Sequence, residues 1–170
     1  EHRPGAASQV GTQFVAKAAP DGNTVLVCFD THAINPIAKK NLPYDTFQDF
    51  AGVSLAVRFP LVIGAHPAVP GKNLKEFLEA AKREPGKFSY ASTGVGSMNH
   101  LVAEDLKRQA GVDILHVPYK STPQAVTDII SGRVSMMFID LTTGLTHVKA
   151  GSLRALAVTT KQRSALLPDL

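Results

Sequence analysis

The sequence predicts an α/β fold, because four successive segments repeat one grammar: an amphipathic helical stretch, a glycine, then a short run of β-branched or apolar residues. The runs are too short to be buried helices and are bounded by turn residues, so they read as strands. Strands alternating with helices of about ten residues imply right-handed crossovers and a mostly parallel sheet.

The elements follow in order. Residues 11–19 form a helical candidate stopped by Pro20, Asp21 and Gly22, and 24–29 reads as a buried strand. The stretch 35–50, rich in Pro, Asn and Asp, reads as loop with short helical turns. Two further apolar runs, 53–57 and 61–65, flank Arg58, Phe59 and Pro60, and a passage between lobes is placed near 59–66. The regular unit then begins. A helix over 73–83 puts Leu74, Phe77, Leu78 and Ala81 on one face, with Asn73 as N-cap and Pro85-Gly86 as stop, and leads to a strand at 87–91. A helix over 98–110 carries Met98, Leu101, Val102 and Leu106, ends at Gly111 and leads to a strand at 113–117. A helix over 123–131 carries Val126, Ile129 and Ile130, ends at Gly132 and leads to 134–139. A helix over 142–150 carries Leu145 and Val148, ends at Gly151 and leads to 154–158.

Composition narrows the function classes. With 44% hydrophobic and 19% charged residues the 170-residue chain can bury a core, which excludes a disordered chain. Its net charge of +4 comes from Lys and Arg scattered singly or in pairs, with no basic stripe interleaved with aromatics, so nucleic acid is not an expected partner. An anionic small molecule suits the sign of the charge. No apolar run approaches the roughly 18 residues of a membrane span. Cys28, the one cysteine, sits in the apolar run 24–29 and is expected to be a buried small hydrophobe. The first residue is Glu1 and not Met, and no signal peptide is legible, so Glu1 is expected to be an interior position of a longer precursor.

The chemistry is expected at one edge. In a parallel sheet every strand-to-helix loop lies on the carboxyl side, where α/β proteins bind ligands. After 87–91 comes Ser92-Thr93-Gly94-Val95-Gly96-Ser97; after 113–117 come Pro118, Tyr119, Lys120, Ser121 and Thr122; after 134–139 comes Asp140. Free N–H groups and the positive end of a helix make such loops receptors for a carboxylate or phosphate. Ser121 and Thr122 also suit plain helix capping, whereas two glycines among hydroxyls in 92–97 let backbone approach a ligand. That loop lacks the Gly-Lys-Ser/Thr ending of a P-loop and is not the dinucleotide fingerprint, so no cofactor is expected. Ser97 with His100 raises a hydrolase reading, but no G-x-S-x-G elbow surrounds Ser97 and no independently placed acid is evident, so no catalytic residue is expected. The six histidines are widely spaced, with no H-E-x-x-H, and no metal is expected. Thr31 and His32 follow the run 24–29 and are placed at the end of a strand in the first lobe.

These residues resemble a known family. Glu1-His2-Arg3-Pro4-Gly5-Ala6, Thr31-His32-Ala33-Ile34-Asn35-Pro36, Leu42-Pro43-Tyr44-Asp45, Tyr90-Ala91-Ser92 with Gly94-Val95-Gly96-Ser97 and His100, His116-Val117-Pro118-Tyr119-Lys120 and the run 147–159 are similar, in order and over essentially the whole chain, to the Bug family of extracytoplasmic solute receptors of tripartite tricarboxylate transporters. The resemblance implies a two-lobed Venus flytrap of periplasmic-binding-protein type, here one nearly complete lobe with a parallel or mixed sheet plus part of a second lobe. Residues 1–60 are then a partial first lobe, 61–158 the second, and 159–170 a segment returning toward the first. It implies a periplasmic receptor, not an enzyme, that closes on a small carboxylate for a tripartite transporter or sensor. Membrane subunits of that transporter are the implied partners, and the full-length protein is an implied monomer. Carried over residue by residue, the first-lobe contribution falls on the loop 5–11 and on Thr31, His32 and Asn35. The second-lobe contribution falls on Ser92, Thr93, Gly96, Ser97, His100, Lys120, Ser121, Thr122 and Asp140. The family's first loop is usually richer in glycine than residues 6–10 here. The effector-binding domain of a transcriptional regulator shares the two-lobed fold and is the alternative; it would require a DNA-binding segment upstream.

Overall fold

In the computed structural model residues 1, 3, 8–58 and 60–170 are described. They divide into two compact units, Glu1–Ala56 and Val57–Leu170. Phe59, and Gly5 to Ala7 of the first loop, lie outside the described residues.

The second unit is a sheet covered on both faces. Its strands are β1 Leu61–Ala65, β2 Ser89–Ser92, β3 Leu115–Pro118, β4 Met136–Asp140 and β5 Arg154–Val158, in the order β3-β2-β4-β1-β5. Strand β2 is parallel to β3 and to β4, while β1 is antiparallel to β4 and to β5. Four strands thus share one direction and β1 opposes them, which is the mixed form of the parallel or mixed sheet expected. The helix-then-strand grammar sets direction only from residue 73 onward, and β1 precedes it.

The continuous apolar run of β4 shows why both faces are covered. Met136 and Phe138 enter a core with Ile63, Tyr90, Phe77 and Ala103 under the helices Leu74–Arg83 and Met98–Ala110. Met137 and Ile139 point the other way, toward Ala125, Val126, Ile129 and Leu141 of the helices Thr122–Ile130 and Leu141–Lys149. Each such fully buried side chain contributes roughly 1.5–3 kcal/mol relative to exposure.

The helix ends obey their predicted chemistry. Asn73 Oδ1 accepts the Glu76 N–H at 3.0 Å, as an N-cap does, while Glu76 reaches back to accept from Asn73 Nδ2 at 3.0 Å and from the Lys72 N–H at 2.8 Å. Gly111 closes Met98–Ala110 in the left-handed region, φ 63°. Two inward assignments change: Leu101 is 41% and Ile130 37% exposed, because the sheet takes the stripes through Ala103 and through Ala125, Val126 and Ile129. The 3.6-residue period admits either neighbouring stripe.

The first unit holds α1 Gln9–Ala16 and α2 Thr31–Ala38. Tyr44, Phe50 and His32 form an aromatic cluster, with the His32 ring 5.0 Å from Phe50 and edge-on to it. The expected strands at 24–29 and 53–57 are not formed: both segments carry no strand pairing, and Val25, Val27, Phe29, Val53, Leu55 and Val57 are all more than half exposed. Cys28 is correspondingly exposed and not the buried hydrophobe expected. A strand needs neighbouring strands for its ladder of N–H and C=O groups, and no strand pairs with either segment among the described residues. The loop expected over 35–50 begins instead inside α2, which continues to Ala38 through Pro36. We number the remaining helices α3 Leu74–Arg83, α4 Met98–Ala110, α5 Thr122–Ile130 and α6 Leu141–Lys149.

Candidate functional site: the carboxyl edge of the second unit

Strand direction brings three loops to one edge. β2, β3 and β4 end there at Ser92, Pro118 and Asp140. The chain leaves β2 for the outer strand β3 through α4, then returns past β2 to β4 through α5. The connections therefore diverge between β2 and β4, the switch point at which α/β sheets bind ligands.

Hydrogen bonds tie the loops into one surface. The Tyr119 N–H donates to the Ser92 carbonyl at 2.8 Å, joining the ends of β2 and β3. Asn99 donates from Nδ2 to the Phe138 carbonyl at 3.1 Å and accepts from Thr93 Oγ1 at 2.9 Å, joining α4, the loop 92–97 and β4. Asn99 was not singled out from the sequence; a first-turn Asn next to a hydroxyl loop was the available signal.

Within the loop, glycine is required by conformation. Gly94 and Gly96 have φ 116° and 82°, and no heavy atom lies within 4 Å of where a Cβ would stand on either. Ser97 caps α4, accepting the His100 N–H at 3.4 Å and donating to the Gly94 carbonyl at 2.7 Å. Ser92 is fully buried and accepts the Gly94 N–H at 3.0 Å. His100 Nδ1 accepts the Gly96 N–H at 3.3 Å, so His100 orders the loop. The Ser97 proton goes to a carbonyl and the His100 acceptor to an amide; the nucleophile–base bond of the hydrolase reading is not formed. First-turn N–H groups of α4, at Met98 and Asn99, have no helix carbonyl to meet and face the same edge.

His116 is the functional candidate that spacing alone could not reveal. It lies opposite Tyr90 in the β2–β3 register, stacks on that ring at 4.9 Å, and holds Ser92 Oγ at 2.6 Å through Nε2. Along α4 the residues His100, Glu104 and Lys107 form one stripe above it. Tyr90 donates to Glu104 at 2.6 Å and Lys107 Nζ donates to the same oxygen at 2.7 Å. Burial alone would raise the Glu104 carboxyl, but these two hydrogen bonds outweigh it and hold it below the usual range. Burial, with the Glu104 hydrogen bond and charge, pushes the Tyr90 hydroxyl far up.

The second loop differs. Ser121 stands at the N-cap of α5, yet its side chain makes no capping bond, and Pro123 has no N–H to satisfy. The Ser121 hydroxyl is thus uncommitted to the helix, contrary to the capping alternative. Lys120 and Ser121 are exposed and Thr122 is half-buried. At the third loop Asp140 caps α6, accepting from Thr143 N–H at 2.8 Å and Thr142 Oγ1 at 2.6 Å. Burial would raise this carboxyl, but the Thr142 and Thr143 bonds outweigh it and hold it low.

In the first unit Thr31, His32 and Asn35 lie on α2 and not at a strand end. Thr31 Oγ1 donates to Ser8 Oγ at 3.5 Å, bringing the start of α1 to the start of α2. Asn35 is buried and donates to the Tyr44 hydroxyl at 3.4 Å. His32 Nδ1 is buried with no hydrogen-bond partner among the described residues.

A doubly covered mixed sheet with hydroxyl- and glycine-rich loops at the carboxyl edge is the architecture of the α/β ligand-binding proteins. Over residues 1–170 the chain matches the tripartite tricarboxylate transporter family receptor, and it belongs to that family. It is 35% identical over 170 residues to the UPF0065 protein in the tcbD-tcbE intergenic region of Pseudomonas sp. strain P51, covering 100% of this chain and 51% of that protein. Among solved structures, the periplasmic binding protein BugD is similar with a TM-score of 0.86 at 34% identity, over 100% of this chain and 57% of that one. R. palustris Rpa4515 with adipate is similar with a TM-score of 0.85 at 30% identity, over 95% and 54%. MatC (Rpa3494) from Rhodopseudomonas palustris with bound malate is similar with a TM-score of 0.82 at 28% identity, over 98% and 57%. The chain spans about half the length of the curated relatives it matches.

Proposed function

We propose that the protein carrying this chain is a periplasmic receptor that captures a small carboxylate between two lobes and hands it to the membrane subunits of a tripartite transporter. Residues 61–158 form most of one lobe in this reading, 1–60 part of the other, and 159–170 the segment leading back. The observation that carries it is the loop 92–97: two glycines at positive φ and a string of hydroxyls deliver the chain into the N-terminus of α4 at the sheet's switch point.

In this assignment Thr93, Gly96 and the first amides of α4 receive one carboxyl group, with Lys120, Ser121 and Thr122 beside them. Ser92, Ser97 and His100 hold that loop in shape. Asp140 selects for a hydrogen-bond donor elsewhere on the ligand, because a carboxylate accepts only. Thr31, His32 and Asn35 act from the first lobe. Two similar structures are those of proteins with adipate and with malate, so dicarboxylates are the first probes. Capture is a population shift: the ligand favours the closed arrangement by binding it better.

The test is thermal unfolding and calorimetry of the full-length receptor with adipate, malate and monocarboxylates. At a ligand concentration of 100 times Kd, stabilisation of about 2.7 kcal/mol is expected. Absence of any shift across that panel would count against carboxylate capture.

A further inference from the structure

Two histidines stand beneath the loop 92–97, on the sheet face that α4 covers. The rings of His100 and His116 are 4.5 Å apart and tilted by 45°, and His116 also stacks on Tyr90. Both glycine amides of the loop end on this cluster. Gly94 N–H reaches Ser92 Oγ, which His116 holds, and Gly96 N–H reaches His100 Nδ1 directly.

That last bond tolerates one protonation state. An imidazole nitrogen accepts a hydrogen bond only while it carries no proton; on protonation both ring nitrogens become donors. A proton on His100 Nδ1 would therefore face the Gly96 N–H donor to donor. From α4 the Glu104 charge favours protonated rings, but burial of His116 and the Lys107 ammonium at 2.7 Å from that carboxyl oppose it. Lys107 itself adds positive charge, lying 5.6 Å from the Tyr90 ring centre. Burial, and then the charge of His100, hold the His116 imidazole below its usual range.

We propose that His100 and His116 are positioning residues that keep the loop 92–97 in its carboxylate-binding shape only while the pair is neutral, so that carboxylate capture weakens on acidification. The inference rests on the reading of that loop as a carboxylate site. Its sign separates it from a direct contact. An imidazolium touching the ligand would bind a carboxylate more tightly as pH falls; a histidine pair holding the loop through an acceptor nitrogen gives the reverse.

The experiment uses the full-length receptor with adipate as probe, by calorimetry between about pH 5.5 and 8. The comparison protein is the double variant His100→Asn, His116→Gln, in which the Asn oxygen takes the place of the acceptor Nδ1, the Gln amide can meet Ser92 Oγ as donor or acceptor, and neither position titrates. The readout is the slope of affinity with pH, not the affinity at either end, and the ratio of the two proteins cancels protonation of adipate itself. The wild type is expected to lose affinity by up to about tenfold per pH unit below the pair's titration, relative to the variant. Equal slopes, or tighter binding at low pH in the wild type alone, overturn the proposal. The Gly96 amide resonance of the unliganded wild type supplies a second reading that needs neither ligand nor variant. It should titrate with the histidine rings, and a Gly96 signal indifferent to their titration overturns the positioning role. If adipate and malate fail to bind while Gly96 titrates as expected, the positioning stands and the dicarboxylate reading falls.

Discussion

Residue by residue, the sharpest requirements are glycines, and they are required for two different reasons. Gly94 and Gly96 are set by backbone angle with open space around them, whereas Gly144 is set by contact. A Cβ on Gly144 would stand 2.6 Å from Val62 Cγ1 and 3.0 Å from Ile139 Cγ2, because α6 lies directly on β1 and β4. Gly144→Ala is therefore expected to destabilise the fold by about 1–3 kcal/mol through overpacking. Urea unfolding checks this, with an unchanged midpoint as the contrary result. The sequence shows a glycine inside a helical pattern at 144 but not what it meets, since that contact is made across the sheet. The same limit hid His116: its partner Ser92 is 24 positions away and reaches it only through the β2–β3 register. The bonds of Thr93, Ser97 and His100, by contrast, join residues three to six positions apart, so their place on one loop is legible from the sequence.

At the scale of elements, what could be read was whatever carries its own punctuation. Asn73 with Glu76, Gly111, Gly132 and Gly151 end or begin helices by local chemistry, and α3 to α6 came within about two residues of their observed bounds. α2 was missed because Pro36 reads as a breaker, although the helix carries it through to Ala38. Asp140 shows an element end that is also electrostatic. Its folded-state pKa lies below the ordinary value near 3.9, so the stability it lends α6 is fully present above that value and is lost as pH falls through the folded-state value. Asp140→Asn keeps an acceptor for the Thr143 N–H but does not titrate. The wild type's advantage over this variant should hold above about pH 5 and shrink as pH falls through about 4 and below, as followed by thermal unfolding. A difference independent of pH would show that the carboxylate's charge does not stabilise the cap.

For the whole molecule, the sequence speaks of two lobes and the described chain divides into two units. In Val57–Leu170 the apolar runs from residue 61 to 158 that were read as strands join one sheet, so pattern and burial agree. The runs 24–29 and 53–57, which lie in Glu1–Ala56 up to its border, have strand composition without strand pairing, leaving Val27 at 84% and Val53 at 83% exposure. Composition names a segment's preference, but a strand exists only where neighbours accept its backbone bonds, and those neighbours are not written in the segment itself. Exposed apolar segments that belong to no sheet are templates for pairing with another chain. A polypeptide of these 170 residues is accordingly expected to self-associate as its concentration rises. Placing Lys at Val27 and Leu55 together interrupts both segments with charge and should suppress that association without disturbing the sheet, since neither residue belongs to a core cluster. Light scattering against concentration measures the first effect and near-ultraviolet dichroism the second. Association of equal strength in both proteins would place the contact elsewhere on the chain.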